Sequence, residues 1–169
     1  MRILAYIGVL AILAAAAAGA FLFGGFFNVA TNWEDPKPVA WAIEAVREAS
    51  VHRHAPASAP VAPDAAKQLR DGARAFLARG CAQCHGGPGV EWAKFAEGMN
   101  PAPPDLKEAV GDLSAVEIFW VVKNGIRMTG MPGFGGLGAE DAELWAIAAF
   151  VKKLPDVTEA QFKEWTSGG

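Results

Sequence analysis

The start of the chain is its longest uncharged stretch. From Ile3 to Ala30 no side chain carries a charge, and this run exceeds the about 20 apolar residues with which a helix crosses the hydrocarbon core of a bilayer. The alternative is a cleaved secretory signal, whose apolar core usually spans about 7–15 residues. Because aromatic residues continue past the alanine run as far as Phe27, the sequence predicts a retained transmembrane anchor over residues 1–30.

The charges around and beyond this run set further expectations. Arg2 and the amino terminus are the only charges before it, and the positive-inside tendency places them in the cytoplasm. Everything after Ala30 is therefore expected outside the cytoplasm. In the whole chain 15 Lys and Arg are interspersed with 18 Asp and Glu, for a net charge of −3, and no basic cluster stands out. This pattern excludes a nucleic-acid-binding function.

Two connecting segments follow the anchor. Residues 31–54 are predicted as a juxtamembrane amphipathic segment with a helix from about Pro38, which lies on the membrane surface, packs on a partner or serves only as a connector. Its two histidines, His52 and His54, have no Cys, Asp or Glu beside them at ligand spacing, and we interpret them as solvated. Residues 55–65 hold three prolines among small residues, which predicts an extended, semi-rigid linker.

The folded domain is predicted over residues 66–155 and has the pattern of an all-α fold. Helix signals mark three segments, "DAAKQLRDGARAFLARG", "SAVEIFWVVKNG" and "AEDAELWAIAAFVKKLP", and Ser114 with Glu117 predicts a capping box at the start of the second. Residues 156–169 are assigned to a C-terminal tail. A domain with few helices and long Gly/Pro-rich loops usually needs an internal ligand to complete its core.

The two cysteines of the chain are Cys81 and Cys84, followed at once by His85 in "CAQCH". A disulfide, a dithiol redox pair and a structural zinc site are the alternatives. The strand–helix–strand context of a dithiol pair is missing from the sequence, and further zinc ligands would have to come from His52 and His54, across the linker. The five-residue spacing is the signature of covalent attachment of c-type haem, with two thioethers and an adjoining histidine ligand.

A second motif lies downstream, in "TGMPGFG". A thioether is the usual second axial ligand in electron-transfer haem proteins. Met131 lies far enough along the chain to reach the opposite face of a haem held by His85, and Pro132 would stiffen the loop that presents it. Met128 lacks a following proline, and Met99 is suited to filling a gap. Loop stiffness therefore favours Met131 among the three methionines.

Residues from about 66 to 155 resemble a small class I cytochrome c, with "CAQCH" as the attachment site, "TGMPGFG" as the methionine loop and "LWAIAAFVKKLP" as the C-terminal helix. The resemblance implies an all-α class I cytochrome c fold wrapped around one covalently attached haem c. In such a fold His85 and Met131 would be the iron ligands, and Cys81 and Cys84 would hold the haem.

The same resemblance implies specific contacts between the first and last helices of the domain. Gly72 and Phe76 would meet Trp145 and Phe150, because a glycine permits two helices to cross closely. Phe76 lies one residue farther from Cys81 than the family's most familiar spacing, so Leu77 could share its role.

A further set of contacts is expected around the histidine. The segment "PPDL" resembles the family's proline segment, which would make the Pro104 carbonyl the acceptor of a hydrogen bond from His85 Nδ1 and so fix the orientation of that ligand. Phe119, Trp120 and Ile126 are assigned to the haem pocket, although an ordinary helix core would bury them equally.

Two filled axial positions favour electron exchange over ligand activation. We therefore expect no catalytic residue and no small-molecule substrate. The protein is expected to be a membrane-anchored monohaem cytochrome that carries electrons between membrane redox complexes of a respiratory chain, or a haem subunit of one such complex. Because bacteria attach haem c on the periplasmic side, the haem domain is expected in the periplasm, tethered to the inner membrane. A haem-bearing assembly subunit of a respiratory or photosynthetic complex remains an alternative. A peroxidase would need a displaceable ligand, and a gas sensor an output module.

Overall fold

A computed structural model of the chain describes residues 2–60 and 65–167. Met1, residues 61–64 of the predicted linker and residues 168–169 of the predicted tail lie outside the described residues. The described parts contain α-helices, three short 3-10 helices and no β-strand. The α-helices are α1 (Arg2–Phe23), α2 (Lys37–His54), α3 (Ala65–Ala78), α4 (Cys81–His85), α5 (Leu106–Ala109), α6 (Ala115–Asn124), α7 (Asp141–Lys153) and α8 (Glu159–Thr166). The chain divides into two compact units, Met1–Glu34 and Asp35–Gly169.

The first unit contains helix α1. Its 22 residues span about 33 Å at 1.5 Å per residue, enough to cross the hydrocarbon core. None of its side chains is buried in the protein, and it is the one helix of the described residues that is long and apolar enough to cross a membrane. The helix ends at Phe23, before Gly24 and Gly25, so it is shorter than the uncharged run. These features fit membrane anchoring.

The second unit is organised around the crossing of α3 and α7. At Gly72 a Cβ atom would lie 2.6 Å from the Ala146 carbonyl carbon and 2.8 Å from Phe150 Cβ, so only glycine permits this approach. Phe76 meets Phe150 edge to face, with ring centroids 5.4 Å apart. The predicted close crossing is therefore confirmed for Gly72, Phe76 and Phe150.

Helix α6 packs on the other side of α7. The ring of Trp145, expected at the α3 crossing, stacks on Phe119 of α6 at 3.9 Å between centroids and 5° between planes. Successive side chains of a helix point about 100° apart, so Trp145 contacts α6 whereas its neighbour Ala146 lies against α3. The predicted capping box of Ser114 and Glu117 is present at the start of α6.

The residues assigned to a C-terminal tail contain helix α8. It begins with a second capping box, formed by Thr158 and Gln161, and its Phe162 ring is buried and stacks on Phe150 at 5.5 Å. The Trp165 carbonyl accepts a hydrogen bond of 2.8 Å from Arg74 Nε of α3. The folded core therefore extends beyond residue 155, because an aromatic residue in this segment completes the packing around Phe150.

Helix α2 also belongs to the second unit. Its second residue is Pro38, so the helix begins where the sequence predicted. Its last turns contact α6: Val51 is buried, and His52 Nδ1 lies 3.1 Å from Glu117 Oε1. Both histidines are exposed to solvent, as expected from the sequence, but each also approaches a side chain of α6, which the sequence did not indicate.

Candidate functional site

The two cysteines occupy the first and fourth positions of the short helix α4. Residues three apart share one helix face, so both sulfur atoms are presented on the same side, one turn apart. Both are free thiols and half-buried. Burial raises the pKa of the Cys81 thiol to about 12, so this thiol is protonated at neutral pH. A protonated, shielded thiol is unlike the reactive thiolate of a dithiol oxidoreductase.

An ion pair fixes the chain immediately before Cys81. Arg79 Nε and a second guanidinium nitrogen donate to the two oxygens of Glu143, each at 2.7 Å. This bidentate geometry joins the end of α3 to the first turn of α7. The hydrogen bond from Arg79 holds the pKa of the Glu143 carboxyl below its usual value, and Glu143 in turn raises the pKa of Arg79. Sequence analysis missed the pair, because its members are 64 residues apart and neither lies in a motif.

His85 closes helix α4, and its Nδ1 atom lies 3.0 Å from the Pro104 carbonyl oxygen. The hydrogen bond expected from the sequence is thus present. A carbonyl oxygen only accepts, so Nδ1 must carry the proton, and the lone pair is left on Nε2. The arrangement orients the imidazole for ligation through Nε2 and increases its basicity. That His85 is an iron ligand stays a prediction.

The loop that carries Met131 is shaped by Gly125 and by its own hydrogen bonds. Gly125 has φ of +69°, and a Cβ there would lie 2.7 Å from the Met131 carbonyl oxygen. Ile126 N donates to that same oxygen at 3.2 Å. Thr129 Oγ1 donates to the Ile126 carbonyl and accepts from Met131 N, at 2.8 and 3.1 Å. The backbone of Met131 is therefore held within the loop, and its side chain packs half-buried against the core.

The other two methionines near this loop are placed differently. Met128 has a side chain 92% exposed to solvent and a φ of +60°. Met99 is half-buried, and its sulfur lies 2.9 Å from where a Cβ at Gly130 would stand. Met99 thus packs against the backbone of the methionine loop, in the gap-filling position that its sequence context suggests.

Trp120, assigned to the pocket from the sequence, is half-buried on α6. Its ring lies 6.0 Å from the ring of His54, at an angle of 31°. The neighbouring Phe119 is buried against Trp145, as an ordinary core residue would be. The structure therefore brings Trp120 to helix α2, and its role at the haem stays a prediction.

A cavity of about 640 Å³ lies beside His85. Much of its lining is charged, including Glu91, Lys94, Glu97 and Lys107. Neither cysteine nor Met131 contributes to it. Of the residues predicted to hold haem, His85 alone lines this cavity, so the cavity by itself does not define the haem pocket.

The donor atoms fit a covalently bound haem better than a bare metal ion. Across residues 2–60 and 65–167, no group of three or more His, Cys, Asp or Glu side chains is arranged to hold a metal. The chain instead presents two adjacent thiols, one imidazole with its Nε2 lone pair free, and a partly buried thioether. These are the attachment and axial groups of an electron-transfer haem.

Comparison with known proteins agrees with this donor set. Residues 67–151, half of the chain, match the family described as cytochrome c oxidase, cbb3-type, subunit III. No curated protein sequence and no solved structure gives a significant match. The matched range includes both cysteines, His85, Pro104 and Met131. The chain therefore belongs to the family of cytochrome c oxidase, cbb3-type, subunit III, whose cytochrome c domain implies covalently bound haem c.

Proposed function

We propose that the protein transfers electrons through a single haem c, attached by Cys81 and Cys84 and ligated by His85 Nε2 and Met131 Sδ. The observation that carries the proposal is the His85 to Pro104 hydrogen bond of 3.0 Å, which fixes the imidazole next to two free thiols on one helical turn. The haem supplies reversible one-electron chemistry when it is bound.

The chain's own residues favour electron transfer over catalysis. His85 and Met131 would together occupy both axial positions, which keeps dioxygen and substrates from the iron. A peroxidase would also need a base on the open side. The remaining histidines, His52 and His54, instead face Glu117 and Trp120 on α6. Neither a peroxidase nor a gas sensor is therefore supported by the positions of these groups.

The partner is proposed to be a membrane oxidase complex. The matched family is described as a subunit of a cbb3-type oxidase, and helix α1 is long and apolar enough to anchor the chain in the same bilayer. With Arg2 before the span and no other charge until after Ala30, the amino terminus lies in the cytoplasm and the haem domain in the periplasm. The protein would pass electrons within a respiratory chain, as a subunit of the oxidase or as a carrier tethered next to it.

Exchange of methionines tests the ligand assignment. The haem-loaded full chain in detergent should show a weak near-infrared sulfur-to-iron band when oxidised. Met131→Leu should abolish this band and lower the reduction potential, by a fraction of the roughly 0.8 V range that axial ligands span, because a thioether stabilises ferrous haem. Met128→Leu, three residues away and exposed, should change neither quantity.

The opposite result would move the ligand. Loss of the band in Met128→Leu, or its retention in Met131→Leu, would contradict the assignment of Met131. Covalent attachment is tested separately by denaturing electrophoresis and haem staining. Extraction of all colour into acidified solvent would show that Cys81 and Cys84 do not hold haem, and the proposed function would fail with them.

A further inference from the structure

The end of helix α2 is buried against the cytochrome fold, although the helix lies outside the matched family range. Val51, in its last turn, is 5% exposed, whereas Val46 on the same helix is 69% exposed. The two residues have the same side chain and lie five positions apart. Because α2 and α6 are in contact, this difference indicates that the C-terminal end of α2 is the covered part and that other parts of its surface are open.

A polar contact accompanies this burial. His52 Nδ1 lies 3.1 Å from Glu117 Oε1, at the start of α6. The Glu117 side chain is mostly shielded, and its other oxygen accepts a hydrogen bond of 2.8 Å from Ser114 N. The hydrogen bonds from Ser114, and then that with His52, hold the pKa of the Glu117 carboxyl below its usual value. The imidazole therefore meets an ionised carboxylate that the capping box has already positioned.

A third contact lies one turn farther along α6. The ring of His54 is 6.0 Å from the ring of Trp120 and tilted by 31°, and His54 Nδ1 is 2.8 Å from the Ser50 carbonyl oxygen of its own helix. The end of α2 thus combines a buried valine with a polar contact of His52 and an aromatic contact of His54. The two histidine contacts reach from the start of α6 to its middle.

The segment that joins α2 to α3 makes such contacts effective. Residues 55–65 are a short connection, and a short tether keeps two surfaces at an effective concentration in the millimolar range. The contacts keep α2 in place if their combined dissociation constant lies below that concentration, which requires about 4 kcal/mol in total. A linker of this kind limits how far the two elements separate as well as permitting motion.

We propose that α2 is a fixed part of the haem domain, docked on α6 over Trp120, so that the protein works as one rigid redox unit. This inference rests on the proposed function only where it calls the unit a redox unit. The docking itself rests on the burial of Val51 and on the contacts of His52 and His54. The alternative is a haem domain that moves relative to α2 about the linker of residues 55–65. In the docked arrangement the Trp120 face of α6 forms an intramolecular contact and is closed to an electron-transfer partner.

Hydrogen exchange on the haem-loaded full chain in detergent micelles tests the docking. Val51→Asp should accelerate amide exchange of the last turns of α2 about tenfold or more, a loss of protection equivalent to about 1.4 kcal/mol. Val46→Asp introduces the same residue into the same helix at an exposed site. It should leave exchange within about twofold of the unsubstituted protein, whereas equal acceleration by both variants would overturn the proposal.

Two further results distinguish docking on α6 from binding of α2 to the detergent surface. If Val46→Asp alone accelerates exchange, α2 is held by the detergent surface, as it would be by a lipid surface, and docking on α6 is wrong. His52→Ala removes the contact with Glu117 and should accelerate exchange about two- to threefold. The effect is smaller than that of Val51→Asp because the His52 side chain is largely solvated. If neither Val51→Asp nor His52→Ala changes the rate of amide exchange in α2, the proposal is overturned. Haem staining and the near-infrared band are measured on the same samples, so failure of docking is distinguished from failure of the haem assignment.

Discussion

The crossing of α3 and α7 and the loop that carries Met131 are built in opposite ways. At the crossing, Gly72 lies against the backbone of Ala146, and Leu144 and Phe150 are fully buried. In the Met131 loop, hydrogen bonds within the loop itself hold the backbone, and exposed side chains such as Leu137 follow it. One region is fixed by side-chain packing and the other by local backbone contacts.

This difference separates stability from chemistry within one small domain. Close-packed interiors respond to changes of a single methylene group, whereas exposed positions usually tolerate substitution within about 0.5 kcal/mol. The predicted donor atoms lie on the short helix α4 and on the Met131 loop rather than at the crossing, so ligand geometry and overall stability depend on different residues. Identical substitutions in the two regions should therefore have very different effects.

The largest effect is expected at Gly72. Gly72→Val places a branched side chain against the backbone of α7 and should reduce the free energy of unfolding by at least about 3 kcal/mol, the upper end of the usual cost of overpacking. Gly136→Val introduces the same residue in the loop, where a Cβ meets no atom within 4 Å. Chemical denaturation of both haem-loaded variants measures the difference. Equal losses would show that the crossing is not the less tolerant region.

A smaller effect is expected from a cavity at Leu144. Leu144→Ala should lower the free energy of unfolding by about 2–3 kcal/mol, the lower part of the range for buried leucines, because neighbouring side chains relax into part of the space. Leu144 is 0% exposed, whereas Leu137 is 63% exposed. Leu137→Ala should therefore cost less than about 0.5 kcal/mol. A denaturation midpoint that moves equally in both variants would contradict the comparison.

The smallest effect concerns the ion pair that joins the crossing to the cysteines. Arg79 lowers the pKa of Glu143 in the folded protein, so the pair's stabilisation is complete above the ordinary carboxyl pKa of about 4.3 and is lost as the pH falls through the lower folded value. Glu143→Gln should lower the melting temperature by about 2 °C at pH 7 and by progressively less toward pH 3.

An exposed pair provides the control for this pH dependence. Asp156 also forms an ion pair, with Lys153 at 2.7 Å, but both side chains are more than half exposed. Asp156→Asn should leave the melting temperature nearly unchanged at both pH values, because solvent screens such a pair. A loss in Glu143→Gln that is the same at pH 3 and pH 7 would show that packing, rather than charge, accounts for the contribution of Glu143.

Several features of the protein could be predicted from the sequence because their signals are local. The apolar run predicted helix α1, and the spacing of Ser114 and Glu117 predicted a capping box that the structure contains. The motif that contains Cys81, Cys84 and His85 indicated the haem family that the comparison then identified. In each case the physical cause, a helical turn or the length of a bilayer crossing, operates over a few neighbouring residues or one continuous segment.

Only the tertiary structure decided which surfaces meet. The packing of Phe162 on Phe150, the Arg79 to Glu143 pair and the contact of His52 with Glu117 all join residues far apart in the chain. A periodic pattern shows which face of a helix is apolar, but it does not identify the partner that covers it. The sequence by itself therefore indicated the apolar N-terminal helix, the three longer helices of the domain and the motif of the haem family. Their mutual contacts depended on long-range packing, in which many weak interactions are satisfied at once.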